Sequence, residues 1–302
     1  MCGIMGYVGA GSAASILIDG LARLEYRGYD SAGVAIAQAD GKITMTKTKG
    51  RVASLATLLE EKKTDGTIGI GHTRWATHGA PTEKNAHPHG SGDGVVFGVH
   101  NGIIENFREL REKLALLGYS FTTETDTEVA VCLVRHHLKR LHDPICAMSA
   151  AQKELRGSYA FAFLFRDVPN VIYAMRRDSP LIVGVGQGEM FLASDIPAIM
   201  PHTKHIFSME NGEMARISAD GVNFFDAGAE PIKKVAQEIT LDAETAEKGG
   251  FAHFMMKEIC EQPSAVRRTL QALAPFDGGL NVGLSPEELK KIRAVQDRKS
   301  VV

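Results

Sequence analysis

The sequence predicts an α+β fold in which packed antiparallel sheets are covered by helices. Between residues 158 and 217, short apolar segments alternate with turn residues, a pattern typical of strands in antiparallel sheets. Two or three stretches with helical periodicity are inserted among the strands, which indicates helices packed on the sheets. The composition agrees, because 44% hydrophobic and 23% charged residues are typical of a globular protein.

The individual elements follow from the same two periodicities. Ser12 is placed to cap a first helix whose apolar side chains share one face, and Asn106 to cap another. Thr125 and Glu128 have the spacing of a capping box before an apolar run. Strands are expected at residues 3–9, 34–37, 43–46, 67–71, 94–99, 159–165, 171–175, 181–185, 190–193 and 214–217.

A length of 302 residues favours about two domains. We expect the first domain at residues 2–240, a polar linker at 241–250 within the acidic stretch 237–250, and a helical fragment at 251–302. The helical periodicity of the fragment is interrupted by Pro263. Because this fragment is short for a domain and reaches Val302 without a stop signal, we expect a truncated chain.

The charge balance argues against two classes of partner. The chain has 34 basic and 36 acidic residues, a net charge of −2, whereas nucleic-acid and membrane-surface binders need a basic excess. No apolar run reaches the roughly 18 residues of a membrane span. Without a secretory signal pattern, the expected location is the cytoplasm, where disulfides are uncommon.

Three of the four cysteines look structural. Cys132 and Cys146 lie in apolar, helix-like stretches and are expected to be small buried side chains, and Cys260 also lies in a helical pattern. No pair has metal-ligand spacing. The histidines at 87, 89, 136 and 137 have no matching ligand set nearby in sequence, so we predict structural roles for them, no metal and no cofactor.

Cys2 is different, because it becomes the first residue once Met1 is removed. It would then carry a nucleophile and an α-amine on one residue. An α-amine has an ordinary pKa of about 7.7–8.0, so part of it is free base near neutrality. A nucleophile with its own base is the arrangement of N-terminal-nucleophile hydrolases, although Cys2 alone is a weak signal.

Four polar blocks stand apart from the hydrophobic pattern. Each alone has an ordinary explanation: the pair Asn101-Gly102 is a turn signal, and Asp126 is a carboxylate at a helix start. Together with a thiol, the four blocks can act on an amide, since an asparagine side chain and a glycine N–H can polarise a carbonyl. Arginine and aspartate can bind the two charges of an amino acid. The blocks are residues 27–33, 71–79, 100–106 and 124–128.

These blocks, with residues 1–7 and 85–89, closely resemble the glutaminase domain of the glutamine–fructose-6-phosphate aminotransferase (isomerizing) family. The resemblance covers about residues 2–240, and residues 251–263 are similar to the opening of the sugar-isomerase half. It implies the four-layer αββα fold of N-terminal-nucleophile, class II glutamine amidotransferases. It also implies glutamine as substrate and no cofactor.

The resemblance assigns roles residue by residue. Cys2 would attack the glutamine amide with its α-amine as base, and Asn101 and the Gly102 N–H would bind the oxyanion. Arg74 would hold the substrate carboxylate and Asp126 its ammonium group. The family places four further residues around the substrate: Thr77 and His78 in a closing loop, Trp75 as a gate to the ammonia passage, and Arg27 near the nucleophile.

In the family, the ammonia converts fructose 6-phosphate to glucosamine 6-phosphate, which requires a complete isomerase half. For this chain alone the resemblance implies glutamine hydrolysis. The apolar face of the helix at 252–273 would need a partner, for example in a homodimer. Two alternatives stay open: another class II amidotransferase, such as the purine-pathway enzyme or asparagine synthetase, or a non-catalytic regulatory module.

Overall fold

Two antiparallel sheets form the centre of the first unit of the chain, Met1–Ala246. The structure, a computed structural model, describes residues 2–38, 40–76, 79–239, 250–251, 254–273, 285 and 290. The strands are β1 Gly3–Val8, β2 Ser31–Ala37, β3 Ile43–Lys49, β4 Ile68–Arg74, β5 His89–Gly90, β6 Val96–Ile104, β7 Gly157–Phe165, β8 Val168–Arg177, β9 Ile182–Val185, β10 Met190–Ala193, β11 His205–Ser208, β12 Met214–Ser218, β13 Gly221–Phe225, β14 Pro231–Ile232 and β15 Gln237–Glu238. The helices of this unit are α1 Ala13–Leu24, α2 Val52–Lys62, α3 Phe107–Leu116, α4 Asp126–Leu141 and α5 Pro144–Glu154.

The strand order places β1 and β4 side by side in the middle of the first sheet. That sheet runs β15-β11-β9-β10-β1-β4-β2-β3, and the second runs β14-β13-β12-β8-β7-β6-β5. Paired strands are antiparallel throughout the described part of the chain. In the register of β1 with β4, Gly3 faces Thr73, so the ends of the two strands meet.

Successive side chains of a strand face opposite sides of its sheet, and both sides are packed, which gives four layers. In β1, Ile4 belongs to the core between the two sheets, whereas Met5 packs with Leu17 and Leu21 of α1. In β7, Ala160 faces the core between the sheets and Phe161 faces the core shared with α3–α5. Helices therefore cover both outer faces, and the predicted α+β sandwich with αββα layers is confirmed.

The structure corrects several details of the predicted elements. Strand β2 begins at Ser31, β4 extends to Arg74 and β6 to Ile104, so three polar blocks lie partly inside strands. Gln237–Glu238, expected in the polar linker, pairs with β11 as β15. Cys146 is exposed on α5, so its expected burial is wrong, whereas Cys132 is buried. The predicted linker 241–250 lies almost wholly outside the described residues.

Two of the predicted caps, Ser12 before α1 and Asn106 before α3, form no side-chain hydrogen bond to their own helix. The Asn106 side chain bonds the carbonyl of Glu154 at 2.8 Å and the N–H of Arg156 at 3.0 Å instead of its own helix. The Thr125 hydroxyl does cap α4 by accepting from the Glu128 N–H. The Glu128 carboxylate binds groups of the preceding loop, Thr122 and Thr123.

The second unit, Glu247–Val302, contains helix α6, Phe254–Leu273. The helix continues through Pro263, so the predicted interruption is wrong even though proline supplies no N–H to the helix. Several of its apolar side chains are exposed: Met255, Met256, Ile259, Val266 and Leu270. Among the described residues, no helix has the length and apolarity needed to cross a bilayer.

Candidate active site

Four of the predicted site residues meet at one end of the sandwich. Cys2 directly precedes β1, Arg74 ends β4, Asn101 lies in β6 of the other sheet, and Asp126 begins α4. The Asn101 Nδ2 atom donates to the main-chain carbonyl of Cys2 at 3.0 Å, which ties the two sheets together at this point. The fold therefore gathers residues that are up to 124 positions apart in sequence.

The Cys2 thiol is held by the main chain of Trp75. The Trp75 N–H donates to Sγ at 3.2 Å, and Sγ lies 3.5 Å from the Trp75 carbonyl, to which it donates. Burial raises the pKa of the Cys2 thiol, against the lowering effects of the Trp75 main-chain hydrogen bond and the Arg74 charge. The thiol is therefore protonated near neutrality and needs a base before it can act as a nucleophile.

Asn101 and Gly102 occupy the facing end of β6. The Asn101 Oδ1 atom lies 3.0 Å from Nε2 of His72, so both ends of the amide are engaged. Gly102 has a φ of +119°, and a Cβ atom there would lie 2.1 Å from the carbonyl oxygen of Ser158. Only glycine fits this position, which leaves its main chain exposed beside Asn101.

Arg74 is almost completely buried, with 3% of its surface exposed. Its guanidinium donates to the carbonyls of Gly79 at 3.2 Å and Ala80 at 3.3 Å, so it also fixes the start of the following loop. Burial lowers the pKa of Arg74, and the nearby Cys2 and Asp126 oppose that effect. A buried cation and a buried anion thus flank the thiol.

Asp126 supplies the anion. Its Oδ2 atom accepts the Ile104 N–H at 2.9 Å, and its position in the first turn of α4 is favourable for a carboxylate. Only 5% of the residue is exposed, and its charge raises the pKa of the Cys2 thiol. Asp126 therefore lies within electrostatic range of both Cys2 and Arg74.

Two residues of the block 27–33 hold the Arg74–Ala76 segment in place. The Asp30 N–H donates to the Arg74 carbonyl at 3.0 Å, and its Oδ2 atom accepts the Ala76 N–H at 2.9 Å. A Cβ atom at Gly28 would lie 2.7 Å from the carbonyl carbon of Arg74 and 2.8 Å from the nitrogen of Trp75. Sequence reasoning singled out the block but missed these two supporting roles.

The structure describes two of the other four predicted residues, Arg27 and Trp75. Arg27 binds the Tyr26 hydroxyl at 3.1 Å and the Asp195 carboxylate. The Trp75 ring is 46% exposed and meets Tyr29 edge to face, with centroids 5.7 Å apart. Thr77 and His78 lie outside the described residues.

Four buried histidines lie beneath the site. The rings of His72 and His87 stack at 4.1 Å, and His89 and His100 complete the cluster. Threonines of the α4 start bind three of them: Thr125 binds His89, and Thr127 binds His87 and His100. Within the described ranges, no group of three His, Cys, Asp or Glu side chains is arranged to hold a metal ion.

Comparison with known proteins agrees with this geometry. Residues 72–201 match the family model of the glutamine amidotransferase domain. The chain carries a glutamine amidotransferase domain. Of the predicted site residues, those from Arg74 to Asp126 fall inside the matched region, and Cys2 and Arg27 precede it.

This amidotransferase is similar over nearly its whole length to curated glutamine–fructose-6-phosphate aminotransferases (isomerizing). It is 46% identical to that of Clostridium tetani over 298 residues, which are 98% of this chain and 48% of the relative. It is 47% identical to that of Aquifex aeolicus over 295 residues, which are 98% of this chain and 48% of the relative. The resemblance seen in the sequence is confirmed, and the chain spans about half the length of the curated relatives it matches.

Solved structures share the fold. The glutamine phosphoribosylpyrophosphate amidotransferase of B. subtilis, solved with ADP and GMP, superposes with a TM-score of 0.64 at 27% identity, covering 75% of this chain and 49% of that one. A glutamine aminotransferase class-II domain protein of Silicibacter pomeroyi shares the fold with a TM-score of 0.52 at 19% identity, covering 74% of this chain and 99% of that one. The amidotransferase therefore has the class II N-terminal-nucleophile fold.

Proposed function

We propose that the chain hydrolyses the side-chain amide of glutamine, with Cys2 as the nucleophile. One observation carries the proposal: Sγ of Cys2 lies against the Trp75 main chain, with the Asn101 amide bound to the Cys2 carbonyl across the sheets. Attack on a carboxamide requires a nucleophile, here the thiol, and beside it an N–H donor that can stabilise the oxyanion.

Arg74 and Asp126 supply the binding part of the proposal. Both are at least nine-tenths buried, and both act electrostatically on the Cys2 thiol, so they lie beside the nucleophile. The α-carboxylate and α-ammonium of glutamine are opposite in charge to these two groups. We assign the carboxylate to Arg74 and the ammonium group to Asp126 on this complementarity of charge.

The reaction then proceeds in two steps. The Cys2 α-amine, free after removal of Met1, takes the thiol proton, and Sγ attacks the amide carbon to give a tetrahedral oxyanion. The Asn101 Nδ2 group and the Gly102 N–H stabilise this oxyanion. The C–N bond breaks as the amine returns its proton to the leaving nitrogen, which gives ammonia and a γ-glutamyl thioester. Water cleaves the thioester to glutamate and regenerates the thiol.

Four residues have secondary roles in this proposal. We assign Trp75 the role of the gate beside the thiol, and Thr77 and His78 the closing on glutamine that the resemblance implies. Arg27, held by its pairing with Asp195, is proposed to line the region of the nucleophile. The proposed location is the cytoplasm.

For the complete protein, we propose transfer of the ammonia to fructose 6-phosphate to form glucosamine 6-phosphate. The names of the relatives at 44–50% identity support this acceptor over the phosphoribosyl acceptor of the structural neighbour at 27%. A homodimer mate for the apolar face of α6 belongs to the same proposal. This chain alone would perform glutamine hydrolysis.

The experiment compares glutamate and ammonia release by the wild-type protein, Cys2→Ala and Cys146→Ala. Cys146 is an exposed thiol on α5 and serves as the matched control. We expect loss of activity only in Cys2→Ala. Wild-type turnover by that variant would refute the proposed nucleophile.

A further inference from the structure

A buried histidine is aimed at the amide group that faces the thiol. His72 lies in β4 opposite Ile4 of β1 and Gly33 of β2, and its side chain is fully buried. Its Nε2 atom lies 2.9 Å from the main-chain carbonyl of His100 and 3.0 Å from Oδ1 of Asn101. Both neighbours of Nε2 are therefore oxygen acceptors.

The main-chain carbonyl of His100 determines the tautomer of His72. A carbonyl can only accept, so the Nε2 atom beside it carries the hydrogen and Nδ1 is bare. Consistent with this, Nδ1 has no hydrogen-bond partner among the described residues. Burial, aided by the Arg74 charge, lowers the pKa of His72 to about 3, so the ring stays neutral.

The neutral ring in turn determines the orientation of Asn101. With Oδ1 accepting from His72, the Nδ2 group must point towards Cys2, where it donates to the carbonyl at 3.0 Å and keeps a second hydrogen. If the amide were rotated by half a turn, Nδ2 would face the Nε2–H donor, and Oδ1 would face the Cys2 carbonyl. Both contacts would be repulsive.

We propose that His72 is a positioning residue that holds the Asn101 amide donor towards the substrate oxyanion. This inference rests on the proposed glutamine hydrolysis, and His72 itself touches no reacting atom. Stacking on His87 keeps the ring in its plane, which fixes the direction of the Nε2–H bond. The residue acts only through Asn101.

The test is a double-mutant cycle between positions 72 and 101, measured as kcat and KM for glutamine hydrolysis. His72→Phe keeps a buried ring but has no donor, so we expect kcat to fall about tenfold or more with KM changed less than about threefold. His72→Gln restores a donor and should recover part of kcat. His72→Phe combined with Asn101→Ala should be no slower than Asn101→Ala alone.

The matched control is His89→Phe, because His89 is equally buried but bonds Thr125 instead of Asn101. In the double variant, the fold losses in kcat from His89→Phe and from Asn101→Ala should multiply. Multiplicative effects of His72→Phe and Asn101→Ala would overturn the positioning role while leaving glutamine hydrolysis intact. Wild-type protein without glutaminase activity would instead overturn the proposed function.

A measurement on the wild-type protein covers the case in which His72→Phe fails to fold. Nitrogen-15 NMR of histidine-labelled protein distinguishes the two neutral tautomers of an imidazole. The proposal requires a neutral Nε2–H ring at His72 throughout pH 6 to 8. An Nδ1–H tautomer or a protonated ring would overturn it.

Discussion

The Trp75 N–H donates a hydrogen bond to Sγ of Cys2 over 3.2 Å. This bond joins the end of β4 to the residue that precedes β1, and it depends on the path of the chain from Arg74 to Ala76. Gly28 and Asp30 constrain that path from one side. The position of the thiol is therefore controlled by residues that do not touch it.

Substitution Gly28→Ala tests this control. The added Cβ atom would lie within 2.8 Å of two main-chain atoms of the Arg74–Trp75 peptide, which must move away. We expect kcat/KM for glutamine to fall at least about tenfold, with a stability loss of about 1–3 kcal/mol. Steady-state kinetics and thermal unfolding give the two quantities.

Gly90→Ala is the matched control for Gly28→Ala. A Cβ atom at Gly90 would meet the Phe97 ring at 3.5 Å, an ordinary contact. Its activity should stay within about twofold of wild type. Equal losses in the two variants would show that the Arg74–Trp75 peptide is not the sensitive element.

Asp126→Asn tests recognition of the substrate ammonium group. The isosteric amide can still accept the Ile104 N–H but lacks the negative charge. We expect KM for glutamine to rise at least about tenfold, while hydrolysis of 4-carbamoylbutanoate, which has no ammonium group, changes little. The ratio of kcat/KM for the two amides is the readout.

Asp143→Asn controls for the loss of a helix-start carboxylate, because Asp143 caps α5 by accepting the Cys146 N–H. It should leave the ratio of the two amides unchanged. If Asp126→Asn also left this ratio unchanged, Asp126 would not be the residue that binds the substrate ammonium group.

Arg74→Lys tests recognition of the substrate carboxylate. Lysine keeps the charge but cannot bond two main-chain carbonyls and a carboxylate with one planar group. We expect KM for glutamine to rise about tenfold or more. The control is Arg135→Lys, at an arginine whose guanidinium pairs with Asp93. A wild-type KM in Arg74→Lys would contradict the assignment.

The buried histidines predict a pH-dependent stability. Burial lowers the pKa of His72 to about 3 and the pKa values of His87 and His89 well below the ordinary value of 6.5. Below about pH 6.5 the unfolded chain binds protons that the native state does not, so stability is lost as the pH falls. The slope approaches ~1.4 kcal/mol per pH unit for each histidine.

Denaturant unfolding of the wild type and His89→Gln between about pH 7 and about pH 5 measures this slope. In His89→Gln, the slope of the free energy of unfolding against pH should be smaller by the contribution of one proton. A free energy of unfolding that does not change with pH over this range would mean that these rings are protonated in the native state.

Sequence periodicity predicted the long central elements because their alternation reflects burial on two faces. It missed β5, β14 and β15, since two residues carry no period, and it also missed the longer elements β11, β13 and α2. Asn106 and Glu128 were misjudged as local caps because their partners come from distant or neighbouring loops. The break at Pro263 was wrong because the helix continues despite the missing N–H.

The candidate site followed from the resemblance more than from spacing. The motifs identified Cys2, Arg74, Asn101 and Asp126, and the fold brings them together. The supporting roles of Gly28, Asp30 and His72 depend on which strands face one another across two sheets. A single sequence does not encode that register in its local pattern.

The account depends on a γ-glutamyl thioester on Cys2. Rapid acid quenching during glutamine turnover, followed by peptide mass spectrometry, should find one γ-glutamyl group on Cys2 and no Met1 in the active protein. Turnover by protein that retains Met1, or a γ-glutamyl group carried by a different residue, would contradict it.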